Sequence, residues 1–162
     1  MRHFRFLLII LAVLSMPLTA FSADFQWQDS KGESHSLKDY DGQPLLLHFW
    51  ASWCPPCLSE LPELVEWRRQ HPDVVFIPVS VDENPAAARQ YLQQHQLHMA
   101  ANSGDNRKAM QLGVRGLPST FVVAGDSEIA LRLLGAQPWG DEAFSSSLLE
   151  ELTHPVQPDA LR

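Results

Sequence analysis

Cys54 and Cys57 are the only cysteines in a chain of 162 residues, and they stand three apart in Trp53-Cys54-Pro55-Pro56-Cys57. Two thiols at that spacing can close into a disulfide and reopen, a two-electron exchange that needs no bound cofactor. A secreted chain held together by disulfides spreads several cysteines along its length. Here the one intramolecular bridge encloses a tiny loop and restricts the unfolded chain very little. A purely structural bridge is therefore poorly motivated. Half a zinc site is the other use of a CxxC. A closed zinc site takes four ligands, however, and neither a second CxxC nor an HxxxH pair is present.

The flanking residues predict how the pair is held. Leu45-Leu46-Leu47-His48-Phe49-Trp50 is a short apolar run that begins after Gly42 and Pro44, and it reads as a buried parallel strand. Beyond the motif, Leu58, Leu61, Leu64 and Val65 recur at helical spacing. Glu60, Glu63 and Glu66 occupy its early turns and Arg68 and Arg69 its last, the charge order a helix dipole favours. Pro62 falls inside this helix and is expected to kink it. Cys54 then sits at a strand-to-helix turn, exposed, where free amides and the positive helix end favour a thiolate. At such places thiol pKa values fall from about 8.5 to roughly 3.5–7.5. Cys57, one turn further in, is expected to be buried and to resolve what Cys54 attacks.

The remaining segments predict one α/β domain over residues 24–152. A polar hairpin is expected from Asp24 to Gly42, turning at Asp29-Ser30-Lys31-Gly32. Val74 to Val81 reads as a second strand, with Pro78 leaving one side unpaired nearby. Asn84-Pro85 starts a helix to about Gln94, and a short one follows from Arg107 to Leu112. Thr120 to Ala124 and Ile129 to Leu134 form a hairpin, and Asp141 caps a last helix. Helices on both faces of a mixed central sheet make a three-layer α/β sandwich.

The ends read differently. Arg2, His3 and Arg5 precede the apolar run Phe6 to Leu14, and small residues lead to Ala23. That is a secretory signal over residues 1–23, with an uncleaved membrane anchor as the alternative. Residues 153–162 read as a flexible tail. Lys and Arg total 12 against 19 Asp and Glu, a formal charge of −7. No basic face of the kind that neutralises phosphates is expected, so nucleic acid is excluded as a partner.

Phe49-Trp50-Ala51-Ser52-Trp53-Cys54-Pro55-Pro56-Cys57, followed by Leu61-Pro62, resembles the thioredoxin superfamily. The likeness is to its TlpA/ResA-like branch, bacterial periplasmic or membrane-anchored thiol-disulfide oxidoreductases that include the DsbE/CcmG-related thioredoxins of cytochrome c maturation. Gly113-Val114-Arg115-Gly116-Leu117-Pro118-Ser119-Thr120-Phe121 resembles the branch's loop with a cis proline, and Val79-Ser80-Val81-Asp82-Glu83 the stretch bearing an active-site glutamate. The resemblance thus implies a thioredoxin-like fold, with Cys54, Cys57 and Glu83 as catalytic residues. Around them it places Trp53, Pro55, Pro56, Leu117 and Pro118. Proline at 118 has no amide hydrogen to donate to the sulfurs, although an ordinary turn proline is the plain alternative. One position departs: His48 stands where the branch has Asn and thioredoxin a buried Asp. It is expected to modulate thiol pKa and rivals Glu83 as the base.

The function expected is reduction of protein disulfides in the periplasm by the Cys54–Cys57 pair, with no metal and no other cofactor. Apocytochrome c is a substrate the family suggests, and a membrane thiol-relay protein of the DsbD/CcdA type would supply electrons to a monomer. Two alternatives stand beside it. A DsbA-type oxidase would need a helical domain, for which the sixty residues between Cys57 and Pro118 leave little room. A copper carrier would use both thiols and a histidine. Copper-delivering relatives space their cysteines one residue further apart and supply a late histidine, where this chain has only His154. His95 and His98 read as surface residues.

Overall fold

A computed structural model describes residues 25–153. The leader expected at 1–23, and all of the expected tail except Thr153, lie outside the described residues. Among the described residues no helix is long and apolar enough to cross a membrane.

The elements follow in the order β1 (Gln26–Gln28), β2 (Ser34–Ser36), a 3-10 turn (Leu37–Tyr40), β3 (Leu45–Trp50), α1 (Pro55–Gln70) and β4 (Val75–Ser80). After these come α2 (Pro85–Gln94), β5 (Asn102–Gly104), α3 (Asn106–Leu112), β6 (Ser119–Val123), β7 (Ile129–Leu134) and α4 (Glu142–Thr153). All seven strands join one sheet in the order β2-β1-β5-β4-β3-β6-β7. β3 runs parallel to β4 and antiparallel to β6, so the sheet is mixed. This is a thioredoxin-like α/β sandwich.

β3 is buried along its whole length because both its faces are covered. On one face His48 lies near Glu60 of α1, and Trp50 packs on Tyr91 of α2. Trp67 of α1 donates its indole N–H to Ser145 of α4 at 2.8 Å, so α1, α2 and α4 cover that side. On the other face Phe49 meets Phe25 and Phe121 edge to face. The Arg132 guanidinium lies over Phe121, and Gly113, which ends α3 at φ 118°, abuts Arg132. α3 therefore belongs to this second layer.

Pro78 stands opposite His48 in the parallel ladder, and β5 joins β4 only beyond it, at Val79 and Ser80. That is the partial pairing a residue without an amide hydrogen imposes. β5 itself has no counterpart in the sequence reading. Its residues Asn102, Ser103 and Gly104 have low strand propensity, and tertiary pairing with β1 and β4 holds them extended.

Candidate active site

β3 delivers the chain into the turn Ala51-Ser52-Trp53, and Cys54 becomes the N-cap of α1 with extended backbone (φ −99°, ψ 101°). Pro55 and Pro56 follow, neither with an amide hydrogen. The first N–H the helix can offer is therefore that of Cys57, and it donates to Cys54 Sγ at 3.4 Å. The two sulfurs are joined as a disulfide, with their Cα atoms 5.3 Å apart. When the bridge opens, that amide and the positive helix end both favour negative charge on Cys54. Cys57 is fully buried, as expected. Cys54 is not the exposed residue expected from its place in the turn, for only 4% of its surface is free. Trp53 and Pro55 on either side stay exposed.

Access to Cys54 is through a cleft of about 480 Å³. Trp53, Cys54, Pro55 and Pro56 form one wall, while Leu117 and Met110 contribute to the remainder. Trp53 is 62% exposed and Met110 52%, so the cleft presents unusually open apolar surface. The Leu117–Pro118 peptide is cis. Pro118 is buried, its carbonyl accepts the amide of Gly135 at 2.9 Å, and the Ser119 hydroxyl closes the loop onto the Gly116 carbonyl at 2.7 Å. The loop is thereby fixed at the edge of the cleft, with Leu117 facing the same space as Cys54.

The acidic residues are arranged otherwise than the sequence suggested. Glu83, which the resemblance implies as a catalytic residue, is exposed, because β4 has ended and the chain is turning toward Asn84, the cap of α2. The buried acid of that stretch is Asp82, whose carboxylate accepts the Ser52 amide, the Ser52 hydroxyl and the Ser80 hydroxyl. It ties the turn before Cys54 to the end of β4.

Glu60, which the sequence places only in an early turn of the helix, is also buried. Cys57, Glu60, Leu61, Leu64 and Trp67 are the buried residues of α1, so the acid shares the inward face with the resolving thiol. Glu60 Oε2 accepts the Gln137 amide at 2.8 Å and the Trp139 indole N–H at 3.0 Å. Burial raises its pKa, against the opposing pull of those two donors. His48, directly beneath on β3, is fully buried and its pKa is lowered to about 3 by burial. Its Nδ1 lies 2.9 Å from Thr120 Oγ1, and its Nε2 faces Glu60 Oε1 at 3.6 Å. The period of the helix could have shown Glu60, since it is three residues past Cys57 and four before Leu64.

The wider chain agrees with this geometry. The family model described as AhpC/TSA family matches residues 20–132. The thiol-disulfide oxidoreductase ResA of Bacillus thuringiensis is 28% identical over 117 residues, 70% of this chain and 68% of that one. A thiol:disulfide interchange protein DsbE homolog from Paracoccus denitrificans is 35% identical over 109 residues, 66% of this chain and 58% of its own length. Among solved structures, StoA from Bacillus subtilis superposes with a TM-score of 0.62 at 26% identity, covering 83% of this chain and 99% of that one. The chain belongs to the AhpC/TSA family and is a ResA/DsbE-like thiol-disulfide oxidoreductase.

Proposed function

We propose that the protein works as a reductase of protein disulfides in the bacterial periplasm. The observation that carries this reading is the Cys54–Cys57 pair at the start of α1, with Cys54 lining an apolar cleft and Cys57 sharing the buried face of the helix with Glu60. In the dithiol form the Cys54 thiolate attacks one sulfur of a substrate disulfide, and the other sulfur leaves as a thiolate. The mixed disulfide then holds the substrate on Cys54. Glu60 accepts the proton of the Cys57 thiol, a role its place on the same helix face allows and the exposed Glu83 lacks the burial to fill. The Cys57 thiolate attacks Cys54 Sγ, forming the bridge present in the structure and releasing the reduced substrate. Two electrons pass to the substrate and the enzyme is left oxidised.

Restoring the dithiol takes a second thiol protein. A membrane relay of the DsbD/CcdA type fits, and apocytochrome c is the substrate in view, both from the resemblance to the cytochrome c maturation branch. Trp53, Pro55, Pro56 and Leu117 would contact the substrate, and Pro118 would hold Leu117 in place. Export through residues 1–23 places the protein beyond the inner membrane. Equilibration with glutathione tests the direction: a reductase has a potential well below that of strong oxidants, about −120 mV. A value at or above that level would assign the protein to disulfide formation.

A further inference from the structure

We propose that His48 is a positioning residue that sets when Glu60 can take a proton, by switching which of its ring nitrogens carries hydrogen. Among the described residues only three buried side-chain polar atoms lack a hydrogen-bond partner: His48 Nε2, Glu60 Oε1 and Trp50 Nε1. Two of the three face each other at 3.6 Å. Unpaired polar atoms in a core are costly, on the order of 1–3 kcal/mol each, so a facing pair of them points to a proton that belongs between them.

The chemistry of the two groups allows two neutral-ring arrangements. With Glu60 protonated, Oε1–H donates to Nε2, and the hydrogen on Nδ1 is donated to Thr120 Oγ1. With Glu60 ionised, the ring hydrogen is on Nε2 and donated to the carboxylate, while Nδ1 accepts the Thr120 hydroxyl. The site loses one proton between these states and the imidazole stays neutral in both. Thr120 suits either arrangement because a hydroxyl both donates and accepts, and it sits 2.9 Å from Nδ1. The Asn usual at this position in the branch has a shorter side chain, whose amide reaches the place of Nδ1 and not that of Nε2.

The surroundings leave the pair to itself. β4 presents Phe76, the turn before α4 presents Trp139 and the Gln137 amide, and β6 presents Thr120. Glu63, also on α1, adds a like charge that opposes ionisation of Glu60. Depressed basicity keeps the His48 ring from simply becoming a cation near neutral pH. By donating from Nε2, His48 stabilises the Glu60 carboxylate and so keeps a base available beside Cys57 at lower pH than burial alone would permit. This role rests on Glu60 serving as the base for Cys57, but the hydrogen-bond switch itself does not.

Nitrogen-15 chemical shifts of His48 in the intact protein test the switch without any thiol chemistry. The expected result is a change from the Nδ1–H to the Nε2–H form as pH rises, with a midpoint above the ordinary carboxylate range, abolished in Glu60→Gln. One tautomer throughout, or an imidazolium forming near pH 6.5, overturns the proposal. Rates of mixed-disulfide resolution supply the second arm. His48→Gln keeps a donor near the Nε2 position and should follow the wild-type pH profile within twofold. His48→Asn should move the rising limb up by about one pH unit, a roughly tenfold loss below both midpoints. Identical profiles for the two variants overturn the assignment, and the tautomer measurement decides should either variant fail to fold. A wild-type switch with no effect of Glu60→Gln on resolution would instead retain the pair and reject Glu60 as the base.

Discussion

Asp82 holds Ser52 by two hydrogen bonds, taking its backbone amide on Oδ2 at 3.0 Å and its hydroxyl on Oδ1 at 2.7 Å. A third bond, from the Ser80 hydroxyl at 2.6 Å, completes the buried carboxylate's set of partners. Asp82→Ala should therefore cost about 1–3 kcal/mol through the donors it leaves unpaired. Urea denaturation would show this as a lower midpoint at unchanged slope. An unchanged midpoint would mean that water satisfies Ser52 and Ser80 equally well.

Acid should destabilise the protein through His48. Its folded pKa of about 3 lies below the ordinary 6.5, so the unfolded chain binds this proton first as pH falls. The stability is complete above pH 6.5 and is lost as pH drops toward 3, to a total on the order of 5 kcal/mol. Unfolding free energies measured from pH 7 to pH 4 should fall more steeply in the wild type than in His48→Asn. Parallel curves would remove His48 as the cause. Glu60 acts in the other sense: its raised pKa disfavours the folded state as pH climbs past the usual carboxylate range. Glu60→Gln should thus gain relative to the wild type between pH 5 and pH 8.

The cleft walls give a kinetic prediction. Trp53 and Met110 come from different elements and leave open apolar surface beside Cys54. Truncating either to Ala should raise KM for a protein disulfide by roughly tenfold, equivalent to about 1.4 kcal/mol, with kcat little changed. A fall in kcat at constant KM would show that these side chains act on the sulfurs and not on binding.

Gly104 tests the packing of β5. A β-carbon there would stand 2.7 Å from Val79 Cγ1 and 3.0 Å from Phe25 Cζ, and Phe25 and Val79 are both buried. Gly104→Ala should cost about 1–3 kcal/mol by overpacking. Thermal unfolding reads the loss directly, and an unaltered Tm would place β5 further from the core.

β3, α1 and α2 were legible because each carries its own local signal: an apolar run, a helical period, or Asn84 followed by Pro85. The Cys54–Cys57 pair was legible from chemistry alone. β5 was not, since three polar or small residues become a strand only through what they pair with. Which acids are buried was not legible for a related reason. Glu60 and Glu66 look alike in composition, and only the direction of the helix face separates the buried one from the exposed one. At the end of β4, Asp82 and Glu83 are neighbours, and the turn buries the first while exposing the second. Cys54 shows the same limit. The sequence locates its backbone at the helix start, but how little of its surface stays free is a matter of tertiary packing.

The division of labour between the two thiols is the central claim, and trapping tests it most directly. Reduced Cys57→Ala and Cys54→Ala variants would each be mixed with a disulfide-bearing protein such as insulin, and the adducts identified by mass spectrometry. A stable mixed disulfide on Cys54 in the first variant, with at most about a hundredth of that rate for Cys57 in the second, is the result predicted from a helix-capping sulfur that lines the cleft and a partner that does not. Faster capture by Cys57, or equal capture by both, would contradict the account.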